Sequence, residues 1–203
     1  MNYLAHAYLS FNHPETLVGN MISDFVKGKA KFNYPPDIQA GIELHRLIDR
    51  FTDEHEVTKE AKQIFRPAYR LYSGAFVDVV YDHFLAADED EFSEESLLLF
   101  TQSTYKALDE HYHYLPERFS RMLPYMKEQN WLYHYRFRWG TEKSLGGLVR
   151  RAAYLTESDT AFRLFEQHYQ LFQDCYRHFW ADMKSFAKLQ FGVLNSLQNN
   201  DER

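Results

Sequence analysis

Two carboxylates and an imidazole interrupt the apolar stretch GAFVDVVYDHFLAA, at Asp78, Asp82 and His83. Burying an unpaired carboxylate is expensive, so these groups need compensation. Asp78 and Asp82 also stand four residues apart, which stacks like charges on one helix face. A positively charged partner is implied. GIELHRLIDRFTDEH repeats the pattern: His45, Asp49 and Asp53 recur every four residues as one stripe. At 1.5 Å per residue, His45 and Asp53 lie about 12 Å apart along the axis. One ion cannot hold all three, so either two ions share the stripe or one end lies outside the coordination sphere. MNYLAH (1–6) and GNMISDFVKG (19–28) likewise set His6 and Asp24 among apolar residues.

Two chemistries meet this pattern. Mixed imidazole and carboxylate ligands suit a divalent ion such as Mn²⁺, Fe²⁺ or Zn²⁺, and a carboxylate-rich set leans toward Mn²⁺ or Mg²⁺. The alternative is a buried ion-pair network using Arg46, Arg50 and Arg70. Pairing Arg46 with Asp49 occupies the arginine and leaves Asp78 and Asp82 unanswered. His111, His113, His134, His168 and His178 stand singly and read as surface or core residues.

The elements that must position these groups are helices. Apolar residues recur with helical periodicity, and strand alternation is absent. The pattern predicts helices at roughly 2–11, 15–27, 36–54, 57–71, 73–87, 94–113, 116–128, 142–154 and 159–190, the last broken near its start. Breakers fall at His13-Pro14, Gly28, Pro35-Pro36, Gly74, Pro116, Pro124 and Gly146-Gly147. The expected architecture is an all-α, single-domain multi-helix bundle over residues 1–203, with a frayed polar tail at about 195–203.

Composition narrows the function. With 45% hydrophobic and 17% aromatic residues, the chain can build a thick aromatic helical core. A net charge of −6 argues against broad nucleic-acid or anionic-membrane binding, while leaving room for local basic patches. No apolar run reaches the length of a membrane span, and MNYLAHAYLSF lacks the basic start and cleavage site of a signal peptide. Cys175 is the only cysteine, so no intrachain disulfide forms, and a cytoplasmic location is expected. Cys175 itself reads as a small core residue. The acidic run ADEDEFSEE (87–95) reads as a helix start after Ser93 more than as a cation site.

MNYLAH, GNMISDFVKG, PPDIQAGIELHRLIDRFTD and DVVYDHFL together resemble the acyl carrier protein phosphodiesterases. The similarity is specific over about the first 90 residues and weaker beyond, where Trp131-Leu132 and Arg150-Arg151 are its remaining points. The resemblance implies an all-helical, cytoplasmic, Mn²⁺-dependent enzyme distantly related to the HD-domain phosphohydrolases. The implied reaction hydrolyses the phosphodiester between 4′-phosphopantetheine and a serine of holo acyl carrier protein. One departure from the HD group is evident: the chain has only the reversed pair Asp82-His83, with no His-Asp dipeptide.

Joined to the residue patterns, the resemblance points to Asp24, His45, Asp78 and Asp82 as metal ligands, with Asp49 bridging or just outside and Asp53 at a second ion or behind the first. His6 or His83 would orient water or protonate the leaving oxygen, and Arg46 would clamp phosphate. The cofactor expected is Mn²⁺, with Mg²⁺ or Fe²⁺ as alternatives. An acidic carrier protein needs a basic face, which Lys27, Lys29 and Lys31, with Arg136, Arg138, Arg150 and Arg151, could supply. Two other functions compete: a metal phosphohydrolase acting on a nucleotide or other small phosphoester, and a helical binding or scaffold protein whose Asp and His residues form structural ion pairs.

Overall fold

A computed structural model describes the backbone of residues 1–201 and side chains as far as residue 196. Every regular element in it is helical. The order is α1 (Tyr3–Tyr8), α2 (Pro14–Ile22), α3 (Pro36–Glu54), α4 (Glu56–Tyr69), α5 (Ser73–Ala87), α6 (Glu94–Glu110), α7 (Glu117–Glu128), α8 (Trp131–His134), α9 (Arg138–Arg151), α10 (Asp159–Gln167) and α11 (Tyr169–Asp201). The all-α expectation is met. No helix among the described residues is long and apolar enough to cross a membrane.

α5 is the centre. Its residues from Phe76 to Ala86 are buried except Asp78, as befits a helix that is apolar nearly all round. Against it α11 presents Phe172, Tyr176, Phe179 and Met183, all buried and spaced four, three and four apart along one face. Tyr81 stacks on Phe179 and Phe65 on Phe172, so the aromatic surplus is spent in the core. Cys175 is buried among these rings.

α2 and α3 cross in close contact because each carries a glycine at the crossing. A Cβ on Gly19 would lie 2.1 Å from the Ile38 carbonyl oxygen, and one on Gly41 would lie 2.2 Å from that of Thr16. Only hydrogen fits at either position. The same approach brings Asn20 against His45.

α1 has six residues, too few to be stable alone, and the side chain of its N-cap Asn2 donates to the Tyr135 hydroxyl and does not cap the helix. Asp82 of α5 supplies the cap from across the fold. Its Oδ2 accepts from Leu4 N–H at 2.7 Å, and its Oδ1 from Ala5 and Asn2 N–H at 3.2 and 3.3 Å. One half of the acidic pair is therefore matched to the positive end of a helix.

Several boundaries differ from those read in the sequence. α2 stops at Ile22, five residues early; a 3₁₀ turn at Ser23–Phe25 and Gly28 at φ +56° follow. Asp24 thus sits on a turn. α9 begins at Arg138 and runs through Gly146 and Gly147, where Arg150 folds back over the space their missing side chains leave. α8 was not foreseen, and α6 ends at Glu110 before a 3₁₀ turn at Tyr112–Tyr114. The break expected near the start of the last helix falls at His168. Helix continues to Asp201 where fraying was expected from Asn195, and the rest of that tail, Glu202 and Arg203, lies outside the described residues. In the acidic run, Ser93 Oγ caps α6 through Ser96 N–H at 3.1 Å. Asp88 and Glu91 accept hydrogen bonds from Tyr176 and Trp180.

Candidate functional site

Five elements converge on one cluster. α1 carries His6, α2 carries Asn20, the 3₁₀ turn carries Asp24, α3 carries His45 and Asp49, and α5 carries Asp78. Asn20 sets the geometry. Its amide nitrogen donates to the His6 carbonyl at 2.8 Å and to Ser10 Oγ at 3.1 Å, so its amide oxygen, 2.7 Å from His6 Nδ1, is an acceptor. His6 therefore carries its proton on Nδ1. His45 Nδ1 lies 2.7 Å from the Asn20 backbone oxygen, which can only accept. His45 is protonated on Nδ1 as well.

Both Nε2 atoms then face carboxylates. His6 Nε2 is 3.2 Å from Asp49 Oδ1, and His45 Nε2 is 3.1 Å from Asp49 Oδ2 and 3.3 Å from Asp24 Oδ1. Met1 O also lies 3.2 Å from His6 Nε2. The rings stack at 3.9 Å between centroids and 14° between planes. Neutral imidazoles tautomerised in this way aim lone pairs at acceptors, an arrangement balanced either by a proton on Nε2 or by a cation among them. Ligand atoms of His6, His45 and Asp49 all lie within 4.8 Å of one another, close enough to share one ion. Imidazole pinned at Nδ1 by a carbonyl is also the usual outer support of a metal-binding histidine. The donor set, two imidazole nitrogens with Asp49 and Asp24 oxygens, fits a divalent transition ion such as Mn²⁺, Fe²⁺ or Zn²⁺.

Without an ion, protons take up the charge. Burial opposes a positive His45, yet its hydrogen bonds to Asp24 and Asp49 outweigh burial and lift it to about 9. Burial and the neighbouring His45 push His6 down to about 4, because two stacked rings cannot both be charged. Burial would raise Asp49, but the Met1 ammonium and the two imidazoles hold it well below the usual carboxylate range. The hydrogen bond from His45 lowers Asp24. Burial raises Asp78 despite the Met1 ammonium, which is 3.0 Å away and also 3.4 Å from Asp49. The other half of the acidic pair on α5 thus finds its positive partner.

The expected site residues divide. Asp24, His45, Asp49 and His6 are joined directly, and Asp78 is linked to Asp49 through Met1. Asp82 is not brought in: it is buried, all three of its hydrogen bonds go to the start of α1, and burial lifts its carboxyl to about 7. His83 is on another side of α5, with Nδ1 on the Tyr135 carbonyl at 2.8 Å and Nε2 on the Tyr169 hydroxyl at 3.0 Å. With both nitrogens engaged in an aromatic pocket, it has none left for water or a leaving group. Asp53 pairs with Lys62 at 2.6 Å, two turns beyond His45, as the 12 Å spacing allows. Arg46 donates to the Val26 carbonyl at 3.3 Å and pairs with Glu43. No arginine among the described residues forms an ion pair with Asp49, Asp78 or Asp82, so the arginine network is not what compensates them.

The basic residues also divide. Lys31 pairs with Glu43, and Arg138 pairs with Glu166 and covers the Tyr169 ring. Arg136 is half-buried, whereas Lys27, Lys29, Arg150 and Arg151 are exposed. Asn20 escaped the sequence reading. Its signal was an amide following a glycine inside an apolar helix, where a poor helix former needs a hydrogen-bonding reason.

Known proteins match most of the chain. No solved structure matches it, so the expected HD-domain likeness rests on sequence alone. The curated relatives include proteins named acyl carrier protein phosphodiesterase from Yersinia pestis, 35% identical over 93% of this chain and 98% of that one, and from Photorhabdus laumondii, 32% identical over 93% and 96%. One from Pectobacterium atrosepticum is 31% identical over 94% and 99%. The family profile described as acyl carrier protein phosphodiesterase matches residues 1–183, and the chain belongs to that family.

Proposed function

We propose that this chain hydrolyses the phosphodiester joining 4′-phosphopantetheine to a serine of holo acyl carrier protein, releasing apo carrier and 4′-phosphopantetheine, with a divalent ion, Mn²⁺ foremost. The observation that carries the metal is the pair of imidazoles whose Nδ1 protons are fixed on Asn20 while both Nε2 atoms converge on Asp49. His6, His45 and Asp49 would hold the ion, with Asp24 beside His45 and Asp78 behind Met1. When bound, such an ion supplies Lewis acidity toward water and phosphoryl oxygens.

The chain's own groups do the rest. Asn20 holds both rings in the metal-binding tautomer. Asp24, with its side chain 71% exposed, stands where a water proton can be accepted. Asp24 and Asp78 line a cavity of about 330 Å³ together with Arg118 and Arg151, a setting suited to a phosphodiester. Exposed Lys27 and Lys29 lie just after Asp24, on the side an acidic carrier would approach.

Purified protein incubated with holo carrier and Mn²⁺ should lower the carrier's intact mass by one phosphopantetheine. Chelator should stop the reaction, and His45→Ala or Asp49→Ala should lose both Mn²⁺ binding and turnover while keeping the helical signal. Full turnover after exhaustive chelation would refute the metal, and an unchanged carrier mass would refute the reaction.

A further inference from the structure

A second, larger cavity of about 860 Å³ opens beside the first, between α7 and α9. Its volume is within the range of about 300–1,000 Å³ usual for small-molecule sites. The two cavities meet at shared walls, which include Tyr3, Arg118, Met122 and Arg151. In a chain of net charge −6, the larger cavity is lined by five cations, Arg118, Arg121, Lys143, Arg150 and Arg151, and by no carboxylate. Arg121 pairs with Glu117 and Lys143 covers the Trp139 ring. Arg118 and Arg151 are exposed and form no ion pair among the described residues. Of the five cations these two alone border both cavities, one from α7 and one from the last position of α9.

Beyond them the lining changes character. Trp139 and Tyr125 offer flat apolar walls, and Gln129 and Ser144 offer hydrogen-bonding groups. An anion is favoured at the junction, next to the Asp24 and Asp78 end, and an uncharged, amide-bearing chain is favoured farther in. We propose that the larger cavity receives the pantetheine arm of the substrate and that Arg118 and Arg151 grip its phosphate at the junction. Paired guanidiniums suit that task because each can donate two hydrogen bonds to phosphoryl oxygens. The phosphate clamp expected at Arg46 is thereby moved to α7 and α9.

This inference rests on the reaction proposed above, and binding separates the two. Free 4′-phosphopantetheine and phosphate-free pantetheine should be titrated calorimetrically into the full chain. The wild type should bind the phosphorylated ligand at least about tenfold more tightly, as expected for charged hydrogen bonds. Arg118→Gln with Arg151→Gln should erase that preference while leaving pantetheine binding and the thermal midpoint unchanged, since neither side chain is paired. Ser144→Trp, which fills the groove, should weaken both ligands. With holo carrier, the double variant should raise KM at least about tenfold. A retained phosphate preference in the double variant, an unchanged KM, or no binding of either ligand by the wild type overturns the proposal. If holo carrier is not cleaved but the phosphate preference and its loss are seen, the reaction falls and the groove stands.

Discussion

Asn20 carries no charge, yet both imidazoles take their orientation from it, one through its side chain and one through its backbone. Asn20→Ala removes the side-chain anchor of His6 while leaving the backbone anchor of His45. Losing such outer support typically costs about 10–100-fold in metal affinity, and titration of the chelated protein with Mn²⁺ should show a loss in that range. His83 makes a contrasting case. Burial holds it near 4 in the folded chain, against about 6.5 when unfolded. Between those values the unfolded chain binds the extra proton, so stability falls as pH drops through that window. Moving from pH 7 to pH 5 should cost about 2 kcal/mol through this residue. His83→Gln retains a donor for Tyr135 and an acceptor for Tyr169, and should flatten that part of the pH dependence in urea denaturation. An identical slope in the variant would show that His83 is not a source of the acid sensitivity.

The crossing of α2 and α3 is the element on which the cluster depends. Gly19→Ala drives a methyl into the Ile38 carbonyl, at or above the upper end of the usual overpacking cost of about 1–3 kcal/mol. Tm should fall by about 5–10 °C, with loss of Mn²⁺ affinity as Asn20 and His45 move apart. At this scale the sequence was informative wherever a signal was local. The stripe of His45 and Asp49, the helical core of α5 and the break at His168 follow from spacing and apolar period. The destinies of Asp78 and Asp82 do not, because their partners lie 77 and 80 residues away at Met1 and Asn2. A carboxylate that caps a distant helix and one that faces a cluster of His and Asp side chains look alike in the sequence. Asp24 was read onto a helix because nothing before Gly28 announces the turn, and that turn lets it reach His45.

Across the whole molecule, charge is unevenly placed. An acidic chain leaves Lys27 and Lys29 exposed beside Asp24, and one of its cavities carries cations and no carboxylate. Lys31 and Arg138, expected on the carrier-facing surface, are held by Glu43 and Glu166. Lys27→Glu with Lys29→Glu should therefore raise KM for holo carrier and leave kcat largely unchanged. The wild-type KM should itself climb with added salt, which screens exposed charges over about 10 Å at 0.1 M. A KM indifferent to both changes would exclude carrier approach over this face.

The cap that Asp82 places on α1 also orders events in time. A six-residue helix does not persist by itself, and this one waits for a chain closure spanning about 80 residues to bring α5 beneath it. α2 and α3 are close in sequence and can meet early, so His45, Asp49 and the Asn20 backbone assemble first. His6 is near Asn20 in sequence, but the helix that carries it is fixed only with the docking of α5. A nascent chain would thus offer two ligands and weak affinity, and only the finished fold would offer three. On the proposed function, ion capture would mark the end of folding, and a chain stalled before that step would stay unloaded and inactive.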